Sequence, residues 1–128
     1  MKYLNDYIED AITEAMDKAG AFYCFGQEQF NKRKQKGVEY VSLGAGLVSP
    51  KETYEELLES MGNIIDEGRK QDLKENKRRG VVIRELDNHE AFYTGDIEQT
   101  VEALEPYNIS EKYIREVYIT ERETREAD

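Results

Sequence analysis

The sequence predicts a small α+β protein: one domain with a three- to four-stranded, mainly antiparallel sheet and helices packed mostly on one face. Three observations lead there. The chain has 128 residues, a length that suits one domain and spans residues 1–128. Long stretches place apolar residues at helical spacing, and short aromatic or β-branched runs sit between them. Neither an internal repeat nor a linker interrupts the series. Hydrophobic residues make up 38% of the chain and charged residues 36%, so a modest core lies under a heavily charged surface. Tyr is the favoured aromatic, with nine copies against four Phe, which suits rings buried at the core boundary with their hydroxyls wet.

The elements follow in order. Leu4, Tyr7, Ile8, Ala11, Ile12, Ala15 and Met16 recur at helical spacing, and Gly20 closes that helix. The run "AFYCF" (21–25) reads as a buried strand broken by Gly26. "QEQFNKRKQK" (27–36) reads as a short helix anchored by Phe30 and ended by Gly37. "VEYVSL" (38–43) alternates in a strand pattern, and "GAG" (44–46) reads as a bulge or tight loop. Ser49-Pro50-Lys51-Glu52 has the form of a helix start, with Ser as cap, Pro at the first position and Glu completing a capping box. The helix it begins carries Tyr54, Leu57, Leu58, Met61, Ile64, Ile65 and Gly68 on one side and loses regularity in "KENKRRG". "GVVIREL" (80–86), with three consecutive β-branched residues, reads as the clearest strand. "FYT" (92–94) reads as a further short strand or the end of the same hairpin. Asp96 caps a helix with Gln99 at the capping-box position, and Pro106 stops it. Ser110 caps a last helix carrying Tyr113, Ile114, Val117 and Tyr118, with Ile109 as a staple. "TERETREAD" (120–128) is polar on all sides, the pattern of a frayed tail.

Charge narrows the choice of function. Twenty-eight acids against 18 bases give a formal net charge of −10, the opposite of a general nucleic-acid binder's basic footprint. A strong negative field favours basic partners. The basic cluster in residues 32–36 lacks interleaved aromatic residues for stacking bases and reads as a solvated helix face. "GAGLVS" lacks the third glycine of a dinucleotide fingerprint and the Lys-Ser/Thr of a phosphate-binding loop. Cys24 is the single cysteine, which excludes an intrachain disulfide and reads as a buried inert thiol. The opening residues carry acids throughout and form neither a signal peptide nor a membrane span, so the expected location is the cytoplasm. No cofactor motif is present.

His89 is the lone histidine, in "ELDNHEAFYTGD" (85–96). On a strand, Glu85, Asp87 and His89 would share one face, and two carboxylates with an imidazole are plausible ligands for a divalent metal. That gives the alternative reading of a metal-dependent enzyme or small-ligand binder. Against it, "LDNHE" is rich in turn-forming residues, which end the alternation before the three side chains converge. A structural histidine is the simpler expectation, with no catalytic and no metal site.

"GAFYCFGQEQF" (20–30) together with "ELDNHEAFYTGDIEQTVEAL" (85–104) resembles a family of small uncharacterised proteins from bacteriophages and bacterial mobile elements. The resemblance spans roughly residues 20–105, and Asn88-His89-Glu90 with Tyr93-Thr94-Gly95-Asp96 is its most specific part. It implies a habitat, an accessory protein working inside a bacterial host cell, and it assigns no catalytic residue. The expected function is therefore non-enzymatic: a protein–protein interaction, as in an acidic, anti-CRISPR-like or other anti-defence inhibitor of a host nucleic-acid-binding protein. Glu52, Glu55, Glu56 and Glu59, with Asp66 and Glu67 further along, would meet a basic protein surface as phosphates do. His89, Glu90 and Tyr93 are further candidate contacts. Direct nucleic-acid and membrane binding are not expected. Tyr3 and Tyr113 suit a homodimer interface as well as a core.

Overall fold

A computed structural model describes residues 1–127. Its elements are α1 (Leu4–Ala19), β1 (Phe22–Tyr23), α2 (Gln27–Arg33), β2 (Tyr40–Gly44), β3 (Leu47–Pro50), α3 (Tyr54–Asn88), α4 (Ala91–Thr94), α5 (Glu98–Leu104), a 3-10 turn (Glu105–Tyr107) and α6 (Glu111–Ala127). The α+β prediction holds, with a three-stranded antiparallel sheet among the described residues. The chain forms two compact units: Asn5–Gly68, and Met1–Leu4 together with the chain from Arg69 onward.

In the unit Asn5–Gly68 the sheet order is β1-β3-β2. β3 is central, pairing Phe22 with Val48 on one side and Val41 with Ser49 on the other. The predicted "GAG" loop is the β2–β3 turn. Gly44, Ala45 and Gly46 all have positive φ, and the register shifts between Ser42 and Gly44. Gly46 also lets the Phe25 ring lie close: a Cβ there would stand 2.5 Å from Phe25 Cε1. α1 forms as its spacing predicts, ends at Gly20 with φ 78, and buries Met16 with Ala21, Leu47 and Leu57 in one apolar cluster. Phe22, Phe30 and Tyr40 interlock beside it, the Tyr40 ring edge-on to both others at 5.7 and 5.4 Å. Of "AFYCF" only Phe22–Tyr23 is strand, and the run is not buried throughout: Ala21 and Phe22 are buried, Tyr23 and Phe25 are exposed, and Cys24 is half-buried.

The predicted helix start at Ser49-Pro50 is a strand end instead. Ser49 is fully buried in β3 opposite Val41, and the helix begins one turn later. Thr53 takes over as the residue that leads into it, its carbonyl accepting from Leu57 N–H at 2.9 Å while its hydroxyl donates to Ala19 O at 2.7 Å. A cap signal reports a turn, and here pairing with β2 moved the turn downstream.

The second unit contains the largest departure. "GVVIREL" is helical, not a strand, as part of α3. Val81, Val82 and Leu86 are fully buried with Leu104, Ile114 and Val117. Spacings of one, four and five residues fit one helical face as well as a buried strand, and the β-branched penalty in a helix is a fraction of a kcal/mol. Burial of each side chain is worth about 1.5–3 kcal/mol and decides the matter. "FYT" is likewise the short helix α4, entered through Glu90 at φ 57 and left through Gly95 at φ 79.

α3 is not straight. Lys77 has φ 65 and ψ 158 in its interior. Residues 72 and 84 would lie about 18 Å apart along a continuous helix, yet Arg84 hydrogen-bonds Asp72 at 2.7 and 3.0 Å. The chain therefore reverses at Lys77, and residues 78–88 fold back on residues 69–76. Asp96 and Ser110 supply oxygens at the starts of α5 and α6, but Ile97 directly precedes α5 and the Asp96 N–H donates to Thr94 Oγ1, so the capping box expected with Gln99 does not form. Glu98 N–H donates to Asp96 Oδ1 at 2.9 Å, and Tyr113 N–H donates to Ser110 Oγ at 3.2 Å. Ile109 and Ile114 are buried in the same cluster, as a staple requires. α6 runs on to Ala127 through the stretch expected to fray, and Asp128 of that stretch lies outside the described residues.

Candidate functional site

In the unit Asn5–Gly68, thirteen acids against six bases give −7, most of the chain's formal charge of −10. The carboxylates of α3 concentrate it. Glu52 lies in the turn before the helix, and Glu55, Glu56 and Glu59 follow on its first two turns, all exposed. Glu55, Glu59 and Asp66 fall along one line of the helix, and Glu56 and Glu67 lie along the adjacent one, together covering roughly 120° of its circumference. No Lys or Arg stands between Thr53 and Gly68. The apolar side faces inward, with Leu57 buried and Leu58 the exception at 48% exposed.

Ion pairing separates these acids from most others. Glu28 pairs with Lys32, Glu39 with Lys51, Glu111 with Arg115 and Glu121 with Arg79 and Arg125. Glu52, Glu55, Glu56 and Glu59 pair with no cation among the described residues; Glu55 accepts only the Tyr54 hydroxyl at 3.2 Å. Asp66 and Glu67 do have partners. Glu56 also borders a small cleft with Lys18, Thr53 and Leu57.

The remaining candidates lie in the other unit. His89 directly follows α3, half-buried, with Nε2 3.9 Å from Glu85 Oε1 one turn earlier. Because the segment is a helix, Asp87 points away from that pair. It binds Arg125 through two hydrogen bonds of 2.7 and 3.0 Å, and Glu85 Oε2 accepts from Arg84 Nε at 2.7 Å. The Asp87 bond raises the Arg125 guanidinium above its ordinary pKa, assisted by Glu121. Arg125 also covers the Phe92 ring at 4.1 Å, and Phe92 stacks on Tyr118. Thus Glu85, Asp87 and His89 do not converge, and no group of three His, Cys, Asp or Glu able to hold a metal ion occurs among the described residues. Glu90 is exposed and Tyr93 is 92% exposed, so both are available to a partner. Tyr3 is exposed beneath Arg84, and Tyr113 is half-buried with Arg78 stacked over its ring at 4.2 Å.

One cluster escaped sequence reasoning. Asp72 is fully buried and accepts four hydrogen bonds: two from Arg84, one from the Tyr107 hydroxyl at 2.6 Å and one from Asn76 at 2.8 Å. Burial pushes its carboxyl up, but the bonds from Arg84, Tyr107 and Asn76 together outweigh burial and hold it below the usual carboxylate range. Arg84 is raised above its ordinary value because Asp72 and Glu85 overcome burial. Burial first, and then the Asp72 carboxylate, push the Tyr107 phenol up. In "RKQDLKENK" nothing distinguishes Asp72 from its solvated neighbours. The signal was Arg84, a charge inside the apolar run "VVIREL", which needs a buried partner.

A family of unknown function, DUF7659, matches residues 4–126. The chain belongs to DUF7659. The match covers nearly all of the helices and strands described above. Membership of DUF7659 attaches no activity to any residue. Comparison with curated proteins and with solved structures finds no match. Among the described residues no helix is long and apolar enough to cross a membrane.

Proposed function

We propose that this DUF7659 protein works by binding another protein, and that Glu52, Glu55, Glu56 and Glu59 form the centre of the contact. The observation that carries the reading is their state: four exposed carboxylates in eight residues with no cation paired to them. Unpaired like charges repel one another, by a few tenths of a kcal/mol per helical pair. A partner lined with Lys or Arg removes that repulsion and gains complementary contacts. A groove that normally holds nucleic-acid phosphates has this character. The protein is accordingly an accessory protein of a phage or mobile element, acting in the host bacterial cytoplasm as an acidic inhibitor of a nucleic-acid-binding defence protein. Asp66, Glu67, His89, Glu90 and Tyr93 are secondary contacts.

The test starts with affinity capture from bacterial host cells and purification of the captured protein. Its affinity is then measured for the full chain and for a variant with Glu52, Glu55, Glu56 and Glu59 all changed to Gln. The Debye length shrinks from about 10 Å at 0.1 M salt to about 3 Å at 1 M. Binding should weaken by about tenfold or more over that range, and the variant should bind weakly at every salt concentration. Affinity that is insensitive to both salt and the substitutions overturns the proposal. Circular dichroism verifies that the variant is folded.

A further inference from the structure

α3 reverses at a single residue, and nothing local demands it. Lys77, at φ 65 and ψ 158, sits in a backbone region populated almost solely by glycine. Its surroundings, Lys74-Glu75-Asn76-Lys77-Arg78-Arg79, consist mostly of good helix formers and contain no Pro. Gly80, the nearest glycine, is not the residue that takes up the positive φ. The reversal is held by tertiary contacts. Arg84 binds Asp72 twice, Tyr107 donates to Asp72, and both donors lie beyond the hinge while Asp72 lies before it. Those bonds require Arg84 and Tyr107 beside Asp72. They do not require all three to belong to one chain.

We propose that Lys77 is a hinge at which two copies of this protein exchange everything from residue 78 onward, each α3 straightening into one continuous helix over residues 54–88. Opening alone breaks the Asp72 bonds to Arg84 and Tyr107 and uncovers Leu73 and the apolar cluster it packs against, so an open monomer is strongly disfavoured. A second copy restores both groups in the same geometry, and this identifies the partner as the chain itself. Exchange also relieves the backbone strain at both copies of Lys77 and completes the helical hydrogen bonds interrupted there. A short hinge under strain is the setting in which swapping is favoured. A local bond that supports the closed form, Lys77 Nζ to Lys74 O at 3.0 Å, is exposed and weak by comparison.

The test uses the full chain, unfolded and refolded at high and at low concentration, with mass read by light scattering after size exclusion. Wild type should yield a dimer in proportion to the refolding concentration. Lys77→Gly, which accepts the reversed backbone without strain and disfavours a straight helix, should shift the equilibrium toward monomer by about tenfold or more. Lys77→Ala, which keeps the strain, should not. A second arm mixes an Asp72→Ala chain with an Arg84→Ala chain before refolding. Only a swapped heterodimer rebuilds one intact Asp72–Arg84 pair and empties the other site of both charges, so heterodimer should exceed the statistical share. Monomer alone at every concentration overturns the proposal. So does a dimer indifferent to Lys77→Gly, or heterodimer at no more than the statistical share.

Discussion

Replacing Asp72 by Ala removes the acceptor of four hydrogen bonds and leaves the Arg84 guanidinium, with 4% of its side chain exposed, short of its main counter-charge. Breaking one partner of a buried pair typically costs about 3–5 kcal/mol. The structure argues for the lower end, because Arg84 keeps Glu85 at 2.7 Å and the Lys2 carbonyl at 3.0 Å. We therefore expect about 3 kcal/mol, measured as a shift of the urea midpoint at unchanged slope. Tyr107→Phe, which deletes one bond to a charged acceptor, should lose about 1.5–3 kcal/mol. Asp72→Leu combined with Arg84→Met should lose far less than the two single changes together, because neither member of the Asp72–Arg84 pair is left buried without the other. The pH dependence has a definite sign. The Asp72 carboxyl is held below its ordinary value of 3.8, so its stabilisation is fully present above that pH and is lost as pH falls through the folded value. Asp72→Asn should flatten that acid limb. A cost under about 1 kcal/mol for Asp72→Ala, or strict additivity of the Asp72 and Arg84 changes, would refute the reasoning.

Other outcomes follow from single contacts. Asp96→Ala and Ser110→Ala should each cost about 1 kcal/mol of stability in denaturant titrations, the usual loss for a helix cap. Gly46→Ala should destabilise by at least about 1 kcal/mol, because φ is +83 and the new methyl would meet the Phe25 ring at 2.5 Å. Asp87→Asn should cost no more than about 1 kcal/mol, since both partners of the Arg125 pair are close to half exposed.

Local chemistry was legible where one residue type serves one local purpose. Asp96 and Ser110 cap helices because their short oxygens reach backbone N–H groups within the same turn. Gly44 and Gly46 turn the chain because they accept positive φ at little cost. The spacing of Met16 and its neighbours required a helix, and it formed. The reading went astray where a residue type serves two purposes. Val81, Val82 and Ile83 prefer strands slightly, Ser49-Pro50 begins helices often, and both preferences amount to a fraction of what burial contributes. Of the candidate site, the acidic face was legible because unbroken charge at helical spacing has few alternatives. That Glu85, Asp87 and His89 stay apart was expected, but from a turn; the cause is a helix, which sends Asp87 to the other side.

Composition and residues a few positions apart account for the α+β class, the acidic exterior, the first helix, the glycine turn and the cap oxygens of the last two helices. Long-range contacts set the helical state of residues 80–86, the central place in the sheet of the strand through Ser49, and the reversal at Lys77. Those outcomes rest on partners far along the chain, above all Arg84 and Tyr107 meeting Asp72. Burying a charge makes such distant partners obligatory, and no local pattern announces which residues they are.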